Sequence, residues 1–180
     1  MQIAPDDPIT WYKMGRLDAA AGRNAAGADK IRKAIALDPI LPEQSVGLAE
    51  VRVKAGQREA AQVALRETHG VDPNDAAAWN LQPGLLSEKG EMPEAIYGFQ
   101  KAIRLRPREG SYLYDYALLL ARLNRLDEAF QPALEAVCVN PKLAEAHELL
   151  GGLFESYRKR RGLTGRFWNC SQLPAGRTYA

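Results

Sequence analysis

The sequence is poor in the residues that build compact chemical sites. Its 180 residues include only two cysteines and two histidines: Cys138, Cys170, His69 and His147. They show neither the paired spacings of a disulfide framework nor those of a zinc site. Gly-rich phosphate loops, H-E-x-x-H, C-x-x-C and G-x-S-x-G are all missing, and with them the commonest signatures of nucleotide, metalloprotease, redox and hydrolase chemistry. No apolar run is long enough to span a bilayer. The opening MQIAPDDP has neither the basic start nor the apolar stretch of a signal peptide. A cytoplasmic chain is the resulting expectation, with a native N-terminus further upstream left open. Strand formers are scarce as well: Val, Ile and Thr together number 18, against 50 for Ala and Leu. That ratio excludes a sandwich or barrel and favours helices.

Hydrophobic residues make up 46% of the chain and charged residues 26%, enough to bury a core. The net charge of +2 is unevenly placed. From Ser156 onward come Arg158, Lys159, Arg160, Arg161, Arg166 and Arg177 with no acid. The body before them carries 18 basic and 22 acidic residues. A mildly acidic body is a poor nucleic-acid surface, so no specific nucleic-acid partner is expected. The YRKRRG run reads either as an anion-binding signal or as cations complementing the end of a helix dipole.

What the sequence has instead is a period. Pro5, Pro39, Pro73, Pro107 and Pro141 recur every 34 residues, and AIALDP, THGVDP, AIRLRP and AVCVNP end in the last four. An interval of this size marks a stacked repeat. A second ladder, Gly22, Gly56, Gly90 and Asn124, uses the residues that tolerate the left-handed conformation closing a helix. A third, Gly27, Ala61, Ala95 and Ala129, supplies small side chains where two helices approach closely. Each unit is thus helix, Gly turn, helix, Pro turn. The helices are expected near 9–21, 25–37, 42–55, 59–69, 76–89, 93–105, 110–123, 127–139 and 143–159.

On these residues the chain resembles the tetratricopeptide repeat family. Trp11, Met14 and Gly15, then Gly27, Ile31, Ala34 and Pro39, follow the family pattern in the first repeat. Leu48, Ala49, Ala61, Leu65 and Pro73 follow it in the second, with Thr68 in place of Ala. The third repeat gives Trp79, Leu86, Ala95, Phe99, Ala102 and Pro107. The fourth gives Leu113, Tyr116, Ala117, Leu120, Ala129, Ala136 and Pro141, and a further first helix carries His147, Leu150, Gly151 and Phe154. The resemblance implies an all-α, right-handed α-solenoid of four helix–turn–helix repeats plus a terminal helix. Residues 8–159 would form the array, with repeats near 8–41, 42–75, 76–109 and 110–143. Residues 1–7 would be a remnant of a preceding repeat or a linker, because Pro5 stands in phase with a repeat whose body is absent. Residues 160–180 would be a basic tail, either a degenerate cap or disordered.

The rule is broken at Pro83, which stands where the other repeats place Gly15, Ala49 and Ala117. A proline inside a helix removes a hydrogen bond and crowds the carbonyl four residues back, so the helix near 76–89 is expected to bend or break at Trp79–Pro83. Two readings stand: a bend that shapes a groove, or a tolerated defect. Pro132 poses the same question. Trp11, Trp79 and His147 share one repeat position and read as inter-helix packing. Cys138 reads as a small buried hydrophobe, and Cys170 as the thiol able to be exposed.

Carboxylates are numerous but spaced as on solvated helix faces. Glu145, Glu148 and Glu155 line one side of the last helix without further ligands. No enzyme activity, no cofactor and no metal site is expected. The resemblance instead implies a non-catalytic protein–protein interaction scaffold with a concave groove lined by the first helices. Its groove positions correspond to Ile9, Tyr12 and Arg16, then Glu43, Val46 and Glu50, then Asn80 and Gly84, then Tyr114 and Leu118. Some members clamp a peptide carboxylate with Lys and Asn. This chain has Tyr12 and Arg16, and then Gly47, at those places, so that clamp is not expected. The partner would be a protein or peptide of unstated identity, and the oligomeric state is not legible. The alternative is the repeat region of a larger enzyme, such as a glycosyl- or sulfotransferase, whose catalytic domain is absent. Nucleic-acid binding is a third possibility confined to the basic tail.

Overall fold

A computed structural model of the chain describes residues 7–38 and 42–161, without the side chains of residues 42, 43, 157, 160 and 161. Among the described residues all regular structure is helical. The helices are α1 (Pro8–Ala20), α2 (Asn24–Leu37), α3 (Pro42–Lys54), α4 (Arg58–Val71), α5 (Ala76–Glu88), α6 (Met92–Leu105), α7 (Gly110–Arg122), α8 (Leu126–Val139) and α9 (Ala144–Arg161). Each lies within two residues of the bounds expected from the 34-residue period. The chain is an all-α solenoid of helix–turn–helix repeats, and it forms two compact units, divided in sequence after Gly90.

The turn ladder does what its residue types require. Gly22, Gly56, Gly90 and Asn124 all have positive φ, at 78°, 74°, 83° and 61°. At three of these turns the next residue reaches back across the helix end: Arg23 N–H donates to Asp18 O at 2.8 Å, Gln57 to Arg52 at 2.8 Å, and Arg125 to Leu120 at 2.9 Å. This left-handed closure satisfies carbonyls that a helix end leaves without partners. The repeat starts are fixed by side chains. The Asp7 carboxylate accepts from the Thr10 N–H at 3.0 Å, and Asp75 accepts from Ala77 at 2.8 Å and Ala78 at 3.1 Å. Both are N-caps of the kind worth about 1 kcal/mol.

In the first unit α1 packs on α2 and α3, and α3 packs on α4 and α5. The α1–α2 hairpin closes through two glycines. A methyl group on Gly15 would stand 2.6 Å from Ile31 Cγ1 and 2.7 Å from Gly27 O, and one on Gly27 would stand 2.7 Å from Gly15 O. Ala61, Ala95 and Ala129, the counterparts of Gly27, have no exposed surface. One core cluster joins Val46 and Ala49 of α3 to Ala61, Ala64 and Leu65 of α4 and to Ala78 and Leu85 of α5. A second joins Ala28 and Ile31 of α2 to Leu48 and Val51 of α3. Side chains clasp successive repeats at one recurring register: Asn24 donates to the Lys54 carbonyl at 3.2 Å, and 34 residues on Arg58 pairs with Glu88. Asp18 is buried and answered by Arg23 at 2.6 Å and by Lys30. Those two cations hold its carboxyl below the usual carboxylate range, Lys30 contributing most.

In the second unit α6 packs on α7, α7 on α8, and α9 on both α7 and α8. Phe99 of α6 faces Tyr116 of α7 at 6.1 Å between ring centroids, and Phe130 of α8 meets Phe154 of α9 edge-on at 4.6 Å. Burial pushes the Tyr116 hydroxyl up from its ordinary range, partly offset by Gln100.

Two expectations are corrected. First, α5 is not broken at Pro83: the helix runs from Ala76 to Glu88 with the proline inside it. Pro83 is almost wholly buried, and Ala78, Leu81 and Leu85 on either side are anchored to the same core. Packing therefore keeps the helix continuous on both sides of Pro83 despite the absent N–H. The α8 helix passes through buried Pro132 in the same way. Second, Cys138 is half-buried and disulfide-bonded rather than a buried thiol. The sequence has one other cysteine, Cys170; with the rest of residues 162–180, it lies outside the described residues. The last helix ends at Arg161, two residues past the expected bound, and Arg158 and Lys159 on it are exposed. These cations stand in its closing turns, where the helix dipole favours them.

Backbone conformation and close contact predict different costs. A methyl on Gly56 meets nothing within 4 Å, so Gly56→Ala is expected to cost only the left-handed strain, about 1–2 kcal/mol. Gly15→Ala adds a clash and is expected to cost about 2–3 kcal/mol. Pro83→Ala restores the hydrogen bond to the Trp79 carbonyl and is expected to gain about 1 kcal/mol, net of lost packing. Chemical denaturation of the three variants checks all three signs. In alkylation followed by peptide mass mapping, Cys138 is expected to label only after reduction.

Candidate functional site

The candidate site is built on the first helices. In the first unit these are α1, α3 and α5, adjoining in that order. α1 brings Ile9, Tyr12 and Arg16. Ile9 and Arg16 are exposed and Tyr12 is half-buried.

Tyr12 and Arg16, one turn apart, act as a pair. The Arg16 guanidinium carbon lies 6.0 Å from the Tyr12 ring centroid. The hydrogen bond and charge of the Tyr12 hydroxyl hold Arg16 protonated more firmly than usual against partial desolvation, with Glu50 on α3 the smallest contributor. The pair is seated on Gly47 of α3. A methyl group there would stand 2.6 Å from Tyr12 Cε2 and 2.7 Å from its hydroxyl oxygen. The sixth repeat position carries Lys13, Leu81 and Asp115 elsewhere; only in the second repeat is it bare, and the Tyr12 ring uses the space. The outcome is an aromatic and cationic surface, with half-buried Glu50 on the adjoining helix α3. Such an arrangement offers stacking, donation of planar hydrogen bonds and charge pairing. It holds no nucleophile–base pair. Among the described residues no cluster of three metal-ligating side chains occurs.

The other expected positions divide. Val46 is 5% exposed and packed into the α3–α4–α5 core, so it supports the face without presenting a side chain there. Of Glu43 only the backbone is described. Asn80 is half-buried on α5 and Gly84 is exposed; the Gly84 carbonyl accepts from Ser87 Oγ at 2.9 Å. Tyr114 and Leu118 are half-buried on α7 and belong to the second unit.

Trp79 and His147 serve the frame, by a route the sequence pattern did not reveal. Trp79 Nε1 donates to the Pro73 carbonyl at 2.8 Å. His147 Nε2, 68 residues on, lies 3.0 Å from the Pro141 carbonyl, which can only accept, so that nitrogen carries the proton. The shared repeat position thus pins the helix start to the proline turn before it, and His147 does so while exposed. Trp79 also stacks on His69 of α4 at 4.3 Å, and His69 contacts Gln82 at 3.1 Å. Lys33 lies 3.8 Å over the Trp11 ring.

The comparisons with known proteins agree with this architecture. No protein-family model matches the chain. Over 70 residues it is 37% identical to the TPR repeat-containing thioredoxin TTL4 of Arabidopsis thaliana, covering 39% of this chain and 10% of that protein. Over 144 residues it is 25% identical to the human protein O-mannosyl-transferase TMTC1, covering 78% of this chain and 16% of the relative. The chain thus matches only a tenth to a sixth of the length of these relatives. Among solved structures it resembles TTC0263, a thermophilic TPR protein of Thermus thermophilus, with a TM-score of 0.74 and 20% identity over 83% of this chain and 82% of the other. It also resembles YrrB, a TPR protein described as having an unusual peptide-binding site, with a TM-score of 0.59 and 19% identity over 88% and 81% of the two chains. By repeat period and by fold, the chain is similar to tetratricopeptide-repeat proteins.

The seat of Tyr12 is open to direct test. Gly47→Ala is expected to displace the Tyr12 ring and cost about 1–3 kcal/mol. In the Tyr12→Phe background the hydroxyl contact is gone and the penalty is expected to shrink. Thermal denaturation of the four chains, read as a double-mutant cycle, measures the coupling.

Proposed function

We propose that the chain is a non-catalytic protein-interaction scaffold that takes a peptide or partner segment on the face of its first helices. The observation that carries this reading is the Tyr12–Arg16–Glu50 assembly over Gly47. An aromatic ring and a guanidinium are held in place before any partner arrives, and Tyr and Arg are the residue types that most often anchor interfaces. A preset surface pays less side-chain entropy on binding. The fold similarity to YrrB supports a peptide ligand for this chain. Ile9, exposed beside the pair, adds an apolar contact. On the second unit, Tyr114 and Leu118 offer the corresponding positions.

A second reading is favoured by the match to TMTC1: the segment is the repeat portion of a larger transferase, and its scaffold face serves that enzyme. A catalytic domain encoded in the same reading frame would establish it; a frame without one removes it. Among the described residues no helix is long and apolar enough to cross a membrane, which is compatible with the cytoplasmic location we propose.

The test uses peptides selected on the immobilised chain from a random-peptide display library. Arg16→Ala and Glu50→Gln alter partly or fully exposed side chains and are expected to leave the melting temperature nearly unchanged. Arg16→Ala is expected to weaken the selected peptides tenfold or more, about 1.4 kcal/mol, and Glu50→Gln to alter their charge preference. Titration calorimetry at two salt concentrations reads both effects. Peptide affinities indifferent to both changes would move the site away from α1 and α3.

A further inference from the structure

The second unit carries a first-helix face of a different chemistry. There α7 and α9 adjoin, as α1 and α3 do in the first unit. In that first pair Tyr12 lies against Gly47, and the Arg16 charge feels Glu50, which stands 34 residues on. The same offset sets Tyr114 of α7 level with Glu148 of α9, and Leu118 level with Gly152. Tyr114 and Leu118 are half-buried, so each keeps part of its side chain open.

The outer face of α9 has no cover among the described residues. Glu145, Glu148, Gly152 and Glu155 are all exposed, and by helical spacing they fall within about a quarter of the circumference. The packed side lies elsewhere, with Ala146 and Leu153 buried and Phe154 against Phe130. Among the described residues none of the three carboxylates enters an ion pair. The first cations on the helix, Arg158 and Lys159, stand a turn beyond Glu155. Gly152 is a notch in this face. Its φ is not positive, and a methyl group there would meet nothing within 4 Å. Neither turn geometry nor packing calls for glycine at this place, where alanine would favour the helix. The bare position leaves the α9 backbone open to close approach between Glu148 and Glu155.

We propose that this face of α7 and α9 is a second docking surface, whose occupant is an extended segment of another protein with basic side chains at positions i and i+3. Charge selects the occupant, because exposed carboxylates on one face draw ammonium or guanidinium groups and repel acids. Helix geometry sets the spacing. Glu148 and Glu155 stand about 10 Å apart along α9, and three residues of extended chain span about 10 Å. The apolar stems of Lys or Arg lie along Leu118 and the Tyr114 ring while their charged ends reach the carboxylates. Between them the segment crosses α9 at Gly152. The surface carries the scaffold reading to the second unit but uses nothing of the Tyr12–Arg16 assembly, so either can fail alone.

The test is fluorescence anisotropy of the full chain with short labelled peptides blocked at both ends. One peptide has lysines at i and i+3 with leucine and serine between them, a second has the lysines adjacent, and a third has glutamates in their place. The first is expected to bind about tenfold tighter than the second, and the third not measurably. Glu148→Gln combined with Glu155→Gln is expected to weaken the first peptide tenfold or more without moving the melting temperature. Gly152→Leu is expected to raise the melting temperature, because leucine is the better helix former, and yet to weaken binding. Arg16→Ala on α1 is expected to leave this peptide unaffected. A first peptide that fails to bind, binds no better than the glutamate peptide, or is indifferent to the loss of both carboxylates would overturn the proposal. So would loss of binding in Arg16→Ala, which would return the site to α1. A dimer in light scattering that the Glu148→Gln, Glu155→Gln chain no longer forms would make a second copy the occupant, and would overturn it as well.

Discussion

The structure depends on how closely two helices of one repeat can approach. Gly15 and Gly27 face each other so tightly that a single methyl group on either would collide with the opposite backbone. In later repeats Ala61, Ala95 and Ala129 occupy the place of Gly27 with no exposed surface. A hairpin packed at this distance has two apolar flanks and no means of covering both. Burial must come from the neighbouring repeat, which is why stability in such arrays is carried by nearest-neighbour interfaces. Leu48 and Val51 of α3 lie against α2, and Ala78 and Leu85 of α5 lie against α4.

Close packing also explains how the chain tolerates local violations. A proline within a helix interior costs about 3 kcal/mol in isolation. Yet α5 and α8 continue through Pro83 and Pro132. Both rings are buried, and α5 is tied to the core on each side of its proline. Tertiary contacts outweigh the local preference. The buried Asp18 carboxylate is a second case, made acceptable by Arg23 and Lys30. Where no packing could intervene, as at the exposed turns, the backbone rule is obeyed at every repeat, with three glycines and one asparagine at positive φ.

The candidate site follows from an omission rather than an addition. Removing the side chain at Gly47 lets the Tyr12 ring lie against α3, and that seat orients Arg16 and brings it into the field of Glu50. A groove assigned by repeat position alone treats Tyr12, Arg16, Val46 and Glu50 as equivalent lining. Packing separates them: Val46 is part of the core, Glu50 is half-buried, and Arg16 is exposed yet held.

By itself the sequence determined the period, and from the period the number, order and approximate bounds of the helices. Proline, glycine and small-residue ladders report on backbone conformation and close approach, and both are local requirements that recur every 34 residues. It also determined which kind of residue closes each turn, since only a few tolerate left-handed backbone. The tertiary structure alone decided the rest, because each remaining feature depends on atoms brought together from separate repeats. The continuity of α5 through Pro83 depends on packing against α4. The roles of Trp79 and His147 depend on proline carbonyls six residues before them, which the chain turns back toward the rings. The bonded state of Cys138, the burial of Val46 and the exposure of Leu17 likewise depend on what lies beside each residue in space. A repeat pattern assigns the same letter to Leu17 and Val51, and only the neighbour that covers one and not the other tells them apart.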